Sequence, residues 1–132
     1  MATIDDPEVR ALLDKPNHAV VSTFNPDGTI HNAVVWQEVH EGKLGLNSAV
    51  GRHWPDNLER DPRVNVLVYA QDNPMEYVEI RGTATSSIEG ADEQIDRLAK
   101  KYIGADSYPF RQAGEQRISY AVSPDRVRDQ KQ

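Results

Sequence analysis

Residues 18–36 read His18-Ala19-Val20-Val21-Ser22-Thr23-Phe24-Asn25-Pro26-Asp27-Gly28-Thr29-Ile30-His31-Asn32-Ala33-Val34-Val35-Trp36. Two compact arms rich in β-branched residues flank Asn25-Pro26-Asp27-Gly28. Proline presets the backbone for a turn and glycine accepts positive φ, so the chain reverses there. Two strands around such a turn form an antiparallel hairpin, and the rest of the chain is read outward from it.

Upstream, Asp5 and Asp6 precede Pro7, and Val9, Leu12 and Leu13 recur at helical spacing. This predicts a helix of about two turns that ends before Pro16. Downstream, His40-Glu41-Gly42 is a second turn, followed by a strand over 43–47 with Leu44 and Leu46 on one face. Residues 48–53 read as a loop, and 57–60 as a short helical turn stopped at Asp61-Pro62. Val64, Val66 and Val68 alternate as in a strand with one face buried. Asp72-Asn73-Pro74 breaks the chain, a long strand over 77–87 is interrupted at Gly82, and 118–122 is the last strand, before Pro124 and a charged tail. Between them Ile95, Leu98, Ala99 and Tyr102 mark a helix over 90–103, stopped by Gly104. Six strands in mostly hairpin order, with three short flanking helices, exclude a doubly wound parallel sheet. The expected fold is mainly β (α+β), a small, partly closed antiparallel barrel.

Composition narrows the function. The chain has 132 residues, 15 basic against 21 acidic, a net charge of −6 and no cysteine. One domain over 1–132 fits that length. An acidic surface disfavours nucleic acid, and the lack of cysteine removes disulfides, thiolate metal sites and a thiol nucleophile. No apolar run approaches the roughly 20 residues of a membrane span, and the N-terminus lacks a signal-peptide pattern, so a cytoplasmic protein is expected. The apolar share, counted with Gly and without Tyr, is about 40%, below the roughly 45–50% of ordinary globular chains. So lean a core predicts help from a partner subunit or a bound cofactor.

His18, His31, His40 and His53 show no metal-ligand spacing, and no serine-hydrolase, P-loop or dinucleotide motif is present. No metal ligand and no catalytic acid or base is singled out. The segment where polar groups converge is Asn47-Ser48-Ala49-Val50-Gly51-Arg52-His53-Trp54, between a strand and a helical turn. A hydroxyl, backbone N–H groups freed by Gly51 and the Arg52 fork suit anion capture, although an ordinary strand-to-helix connection reads the same way. Trp36 and Trp54 suit either a wall for a planar ring or a core anchor.

The ordered set of segments resembles the flavin/deazaflavin-binding split β-barrel superfamily typified by pyridoxamine 5′-phosphate oxidase, in particular its coenzyme F-420-dependent reductase branch. Residues 19–36, 57–64, 72–82, 95–111 and 124–127 carry the resemblance, which spans nearly the whole chain. It implies a six-stranded split barrel and a homodimer with cofactor sites at the subunit interface. It also implies that Ser48, Gly51, Arg52 and His53 meet the cofactor phosphate, with Trp54 beside them and Asn57 beneath. Ala33, Val34, Val35 and Trp36 would lie along the ring system, and Tyr77 or the loop from Tyr108 to Arg111 would help close the site. Relatives commonly carry basic residues where this chain has Trp54 and Asp56, with Pro55 between, and a threonine where it has Ala33. Losing two cations weakens anion binding by a few kcal/mol at most. The implied activity is hydride transfer from reduced F-420 to a small electron-poor organic molecule. The alternatives are an FMN oxidoreductase of the same fold, or a non-enzymatic flavin, haem or lipid binder.

Overall fold

The computed structural model describes residues 2–130, in the order α1 (Pro7–Leu13), β1 (Ala19–Phe24), β2 (Ile30–Val35), β3 (Glu38–His40), β4 (Lys43–Ala49), α2 (His53–Arg60), β5 (Arg63–Ala70), β6 (Asn73–Ser87), α3 (Ala91–Ile103) and β7 (Arg117–Gln130). The hairpin forms as its turn residues dictate, with Ala19 opposite Val35 and Phe24 opposite Ile30. The Asn25 N–H donates to the Thr29 carbonyl at 2.8 Å, and Gly28 takes φ +86°. Asp27 accepts from the Thr29 hydroxyl and N–H, which holds its carboxyl below the usual range.

One sheet orders its strands β2-β1-β5-β6-β7-β4-β3, every neighbouring pair antiparallel. The two edge strands, β2 and β3, are consecutive in the chain across Trp36 and Gln37, yet no ladder joins them among the described residues. The sheet is therefore split, as expected, but has seven strands rather than six. The additional strand, β3, is three residues long and pairs with the start of β4, too short for alternation to mark it.

Inward-facing residues of the sheet make the core: Ala19 and Val21 of β1, Val64, Val66 and Val68 of β5, Val78 and Ile80 of β6, and Ile118, Tyr120 and Val122 of β7. β7 runs past the expected stop at Pro124 to Gln130, and β6 begins at Asn73 rather than Tyr77. Proline is tolerated in β7 because it lies opposite Gly82, where the β6–β7 register shifts and a ladder N–H is dispensable. β4 is buried on both faces from Leu44 onward, with Leu44 and Leu46 in the core and Asn47 bonded to α3.

The join between the edge strands is tied by side chains. Gln37 is fully buried and donates to the Leu13 carbonyl at 2.9 Å. Lys101 Nζ donates to the carbonyls of Leu13 and Gln37, each at 2.7 Å, and Tyr102 donates to that of Asn17 at 2.6 Å. Trp36 stacks on Tyr102 with centroids 5.2 Å apart. Burial pushes the Lys101 ammonium down to about 8. Its unfolded value is about 10.4, so between those limits the unfolded chain binds more protons and stability rises with pH. Below pH 8 both states are protonated and the contribution is flat. Tyr102, pushed up by burial, acts with the opposite sign, but only above its ordinary value. Urea midpoints should therefore rise from pH 8 to pH 10 in the parent protein, and Lys101→Met should remove the rise. Parallel profiles for the two proteins would refute the assignment.

Candidate functional site

α2 starts at His53, so the helix is longer, and the loop before it shorter, than the sequence predicts. β4 runs through Asn47 and Ser48 to Ala49, and a turn with Gly51 at φ +92° delivers Arg52 to the helix N-terminus. Pro55 fits the first turn, where backbone N–H groups have no helical partner. The other end of α2 is locked to the β1–β2 hairpin. Asn57 donates to Thr23 Oγ1 and Asn25 Oδ1, each at 3.0 Å, and accepts from Arg60 at 3.0 Å.

Next to this turn lies a cleft of about 210 Å³. Val34, Val35 and Trp36 form one wall, Ser48, Arg52 and Trp54 a second, and Tyr108 and Phe110 a third, with Asn47 and Arg117 on its lining. The Tyr108 ring meets Trp36 edge-on at 6.1 Å and Phe110 at 5.6 Å. Its loop is fastened to α3 because Asp96 accepts the Tyr108 N–H at 2.8 Å and pairs with Arg111 at 3.1 Å. Those two contacts, the N–H first, hold the Asp96 carboxyl below its usual range.

A charged chain runs beneath the cleft. Arg117, with 4% of its side chain exposed, donates from Nε and Nη2 to Asn47 Oδ1 at 3.0 and 2.8 Å, and from Nη1 to Glu115 at 3.0 Å. The other Glu115 oxygen accepts from Arg52 Nη2 at 3.1 Å. Asn47 turns its amide N–H groups to the Ala91 carbonyl and to Gln94, each at 2.8 Å. Arg117 Cζ also lies 4.9 Å from the Tyr108 ring centroid. A buried guanidinium needs this full set of acceptors, since an isolated charge taken out of water is costly. Arg52 is different: 48% of its side chain is exposed.

Eight of the residues singled out from sequence thus converge on one cleft: Val34, Val35, Trp36, Ser48, Arg52 and Trp54, with Tyr108 and Phe110 of the loop expected to close it. Trp54 serves the core as well, 7% exposed and 5.4 Å from Tyr120. Ala33 packs against the core, as Val35 on the same face of β2 does, but lies outside the cleft lining. Gly51 shapes the turn without lining the cleft, and Asn57 has its amide occupied by the hairpin. His53 turns away to Asn25 at 2.8 Å and stacks on His31 at 3.9 Å. Tyr77 lies on β6, opposite Tyr69, outside this cleft. The sequence reading took in Asn47 only as the head of the polar segment and did not select Glu115 or Arg117, and a charged pair at the start of the last strand has no local pattern to reveal it. Larger hollows of about 520 and 650 Å³ lie beside α1 and across the outer face of β1, β2, β5 and β6, and neither brings these residues together. Among the described residues no group of three metal-ligating side chains occurs, and no helix is long and apolar enough to cross a membrane.

The arrangement is a split antiparallel sheet with a small polar and aromatic cleft at its seam, and solved structures share the fold. A protein described as an F420 reductase superposes with a TM-score of 0.78 at 23% identity, over 90% of this chain and 94% of that one. A conserved hypothetical protein of Mycobacterium tuberculosis gives 0.76 at 22% identity, over 96% and 84%. A Listeria innocua protein provisionally named a pyridoxamine 5′-phosphate oxidase gives 0.70 at 21% identity, over 92% and 94%. No curated protein sequence matches. The pyridoxamine 5′-phosphate oxidase family model matches residues 5–131, and the chain belongs to that family.

Proposed function

We propose that this protein is an oxidoreductase that binds a phosphate-bearing flavin-type cofactor, reduced F-420 in the leading reading, and reduces a small electron-poor organic substrate. The observation that carries it is Arg52, half exposed at a cleft walled by Val34, Val35, Trp36 and Tyr108. A guanidinium beside an apolar and aromatic wall fits a planar ring that carries a phosphate. When bound, the deazaflavin or flavin ring would supply a hydride. Arg52 would hold the phosphate with the Ser48 side of the cleft, Val34 and Trp36 would bound the ring, and the Tyr108 loop would exclude water. Positioning two planar reactants accounts for much of such a reaction, so no acid–base residue is required.

The cleft of about 210 Å³ is smaller than the roughly 300–1,000 Å³ usual for ligand pockets, which supports completion by a second copy of the chain. Ile30 and Val34 on edge strand β2, 61% and 68% exposed, with Phe110 at 60%, give such a partner an apolar surface to cover. FMN is favoured as the alternative by Glu115, which already neutralises part of the cationic wall and so suits a ligand with less negative charge.

Fluorescence titration with F-420 and FMN side by side tests the reading. Arg52→Ala should weaken binding of the accepted cofactor about 10–100-fold, the worth of one charge-assisted hydrogen bond, with little change in melting temperature. Unchanged affinity in that variant would place the phosphate elsewhere.

A further inference from the structure

We propose that Glu115, behind the cleft lining, is an internal counter-anion that pairs with both cations of the cleft and limits how much negative charge a ligand may bring there. This rests on the reading of the cleft as a phosphate-bearing cofactor's site. The two cations on the cleft lining are Arg52 and Arg117, and one carboxylate bridges both, at 3.1 and 3.0 Å. Two guanidinium groups and one carboxylate leave a single net positive charge. The Glu115 side chain is only 8% exposed, so water screens the bridge weakly.

The two arginines are not equivalent. Arg117 is held through all three of its nitrogens by Asn47 and Glu115 and cannot turn to a ligand without abandoning buried acceptors. Arg52 shows a single side-chain bond, from Nη2 to Glu115, which leaves Nε and Nη1 for an incoming oxyanion. The backbone holds the carboxylate in place as well. The Val50 N–H donates to the Gln116 carbonyl at 2.8 Å, which straps the segment before β7 to the Gly51 turn. A ligand phosphate must therefore share Arg52 with Glu115 or displace it, and repulsion grows with each charge the ligand carries. Glu115 is thus a specificity-determining residue that acts through Arg52.

The test compares each cofactor with its phosphate-free counterpart, FMN with riboflavin and F-420 with its deazaflavin riboside, on the parent protein and on Glu115→Gln. Glutamine keeps the shape and an acceptor for Arg117 but removes the charge. The phosphate-bearing member should bind about tenfold tighter to this variant, and the phosphate-free member equally well to both proteins. Glu115→Asp serves where the glutamine variant does not fold. Aspartate keeps the charge that Arg117 requires, is too short to bridge both guanidinium groups, and should shift the same ratio in the same direction. If the parent binds and the ratio stays put or falls, Glu115 has no such role, and the Arg52→Ala titration then decides separately whether the phosphate site stands. If no member of either pair binds any of the proteins, the phosphate-site reading and the role of Glu115 fall together.

Discussion

Replacing Arg117 with alanine should lower folding stability by about 3–5 kcal/mol, the usual penalty for breaking a buried ion pair from one side. The guanidinium makes three bonds at 2.8–3.0 Å, and its removal strands two groups at once. Glu115, 8% exposed, would keep only Arg52, and Asn47 Oδ1 would lose both its donors. Asn47 ties β4 to α3, so the loss reaches the helix that covers that strand. In a chain of this size the melting temperature should fall by roughly 10 °C or more. Arg117→Lys keeps the charge without the planar fork and should fall between the two. A shift of only about 2 °C in the alanine variant would show that the network contributes little beyond ordinary surface pairing.

The second large effect is expected at Gly82, and its cause is steric. A Cβ there would run into the Ser123 carbonyl oxygen and sit 3.0 Å from a Val122 methyl. The carbonyl belongs to the backbone and cannot rotate aside, so the two longest strands must part where their register already shifts. Gly82→Ala should cost about 3 kcal/mol, at the upper end for overpacking. Gly28→Ala is the control. Its Cβ meets nothing within 4 Å, but its φ of +86° strains any residue with a side chain, at about 1–2 kcal/mol. Denaturant unfolding of both variants checks the order, and a larger loss at Gly28 would overturn the argument from close approach.

These two sites mark how far the sequence can be read. Gly82 stands out in a run of strand residues. The strand it was expected to interrupt runs unbroken from Asn73 to Ser87, and what changes there is the register with β7, at a close approach that requires a residue without a side chain. Pro124 misleads for the complementary reason. A proline ends a strand as far as local rules go, and only its pairing opposite Gly82 reveals a bulge that keeps β7 going to Gln130. β3 escapes notice because three residues carry no period.

The hairpin, the alternating strands, the helix stopped at Gly104 and the polar turn around Arg52 are set by neighbours in the chain, through backbone angles and side-chain period. For those, sequence alone determined the outcome, including a β-rich antiparallel fold, whereas the cleft that gathers Val34, Trp36, Ser48 and Arg52 was expected only from the family resemblance. Whether a side chain faces that cleft is another matter: Ala33 and His53 follow the expected segments yet turn elsewhere, one against the core and the other to Asn25 and His31. The pairing of Arg52 with Glu115, 63 residues apart, and of Arg117 with Asn47, 70 apart, was decided by the tertiary structure. Partners of buried charges are found by packing across strands, and that choice leaves no periodic trace in the chain.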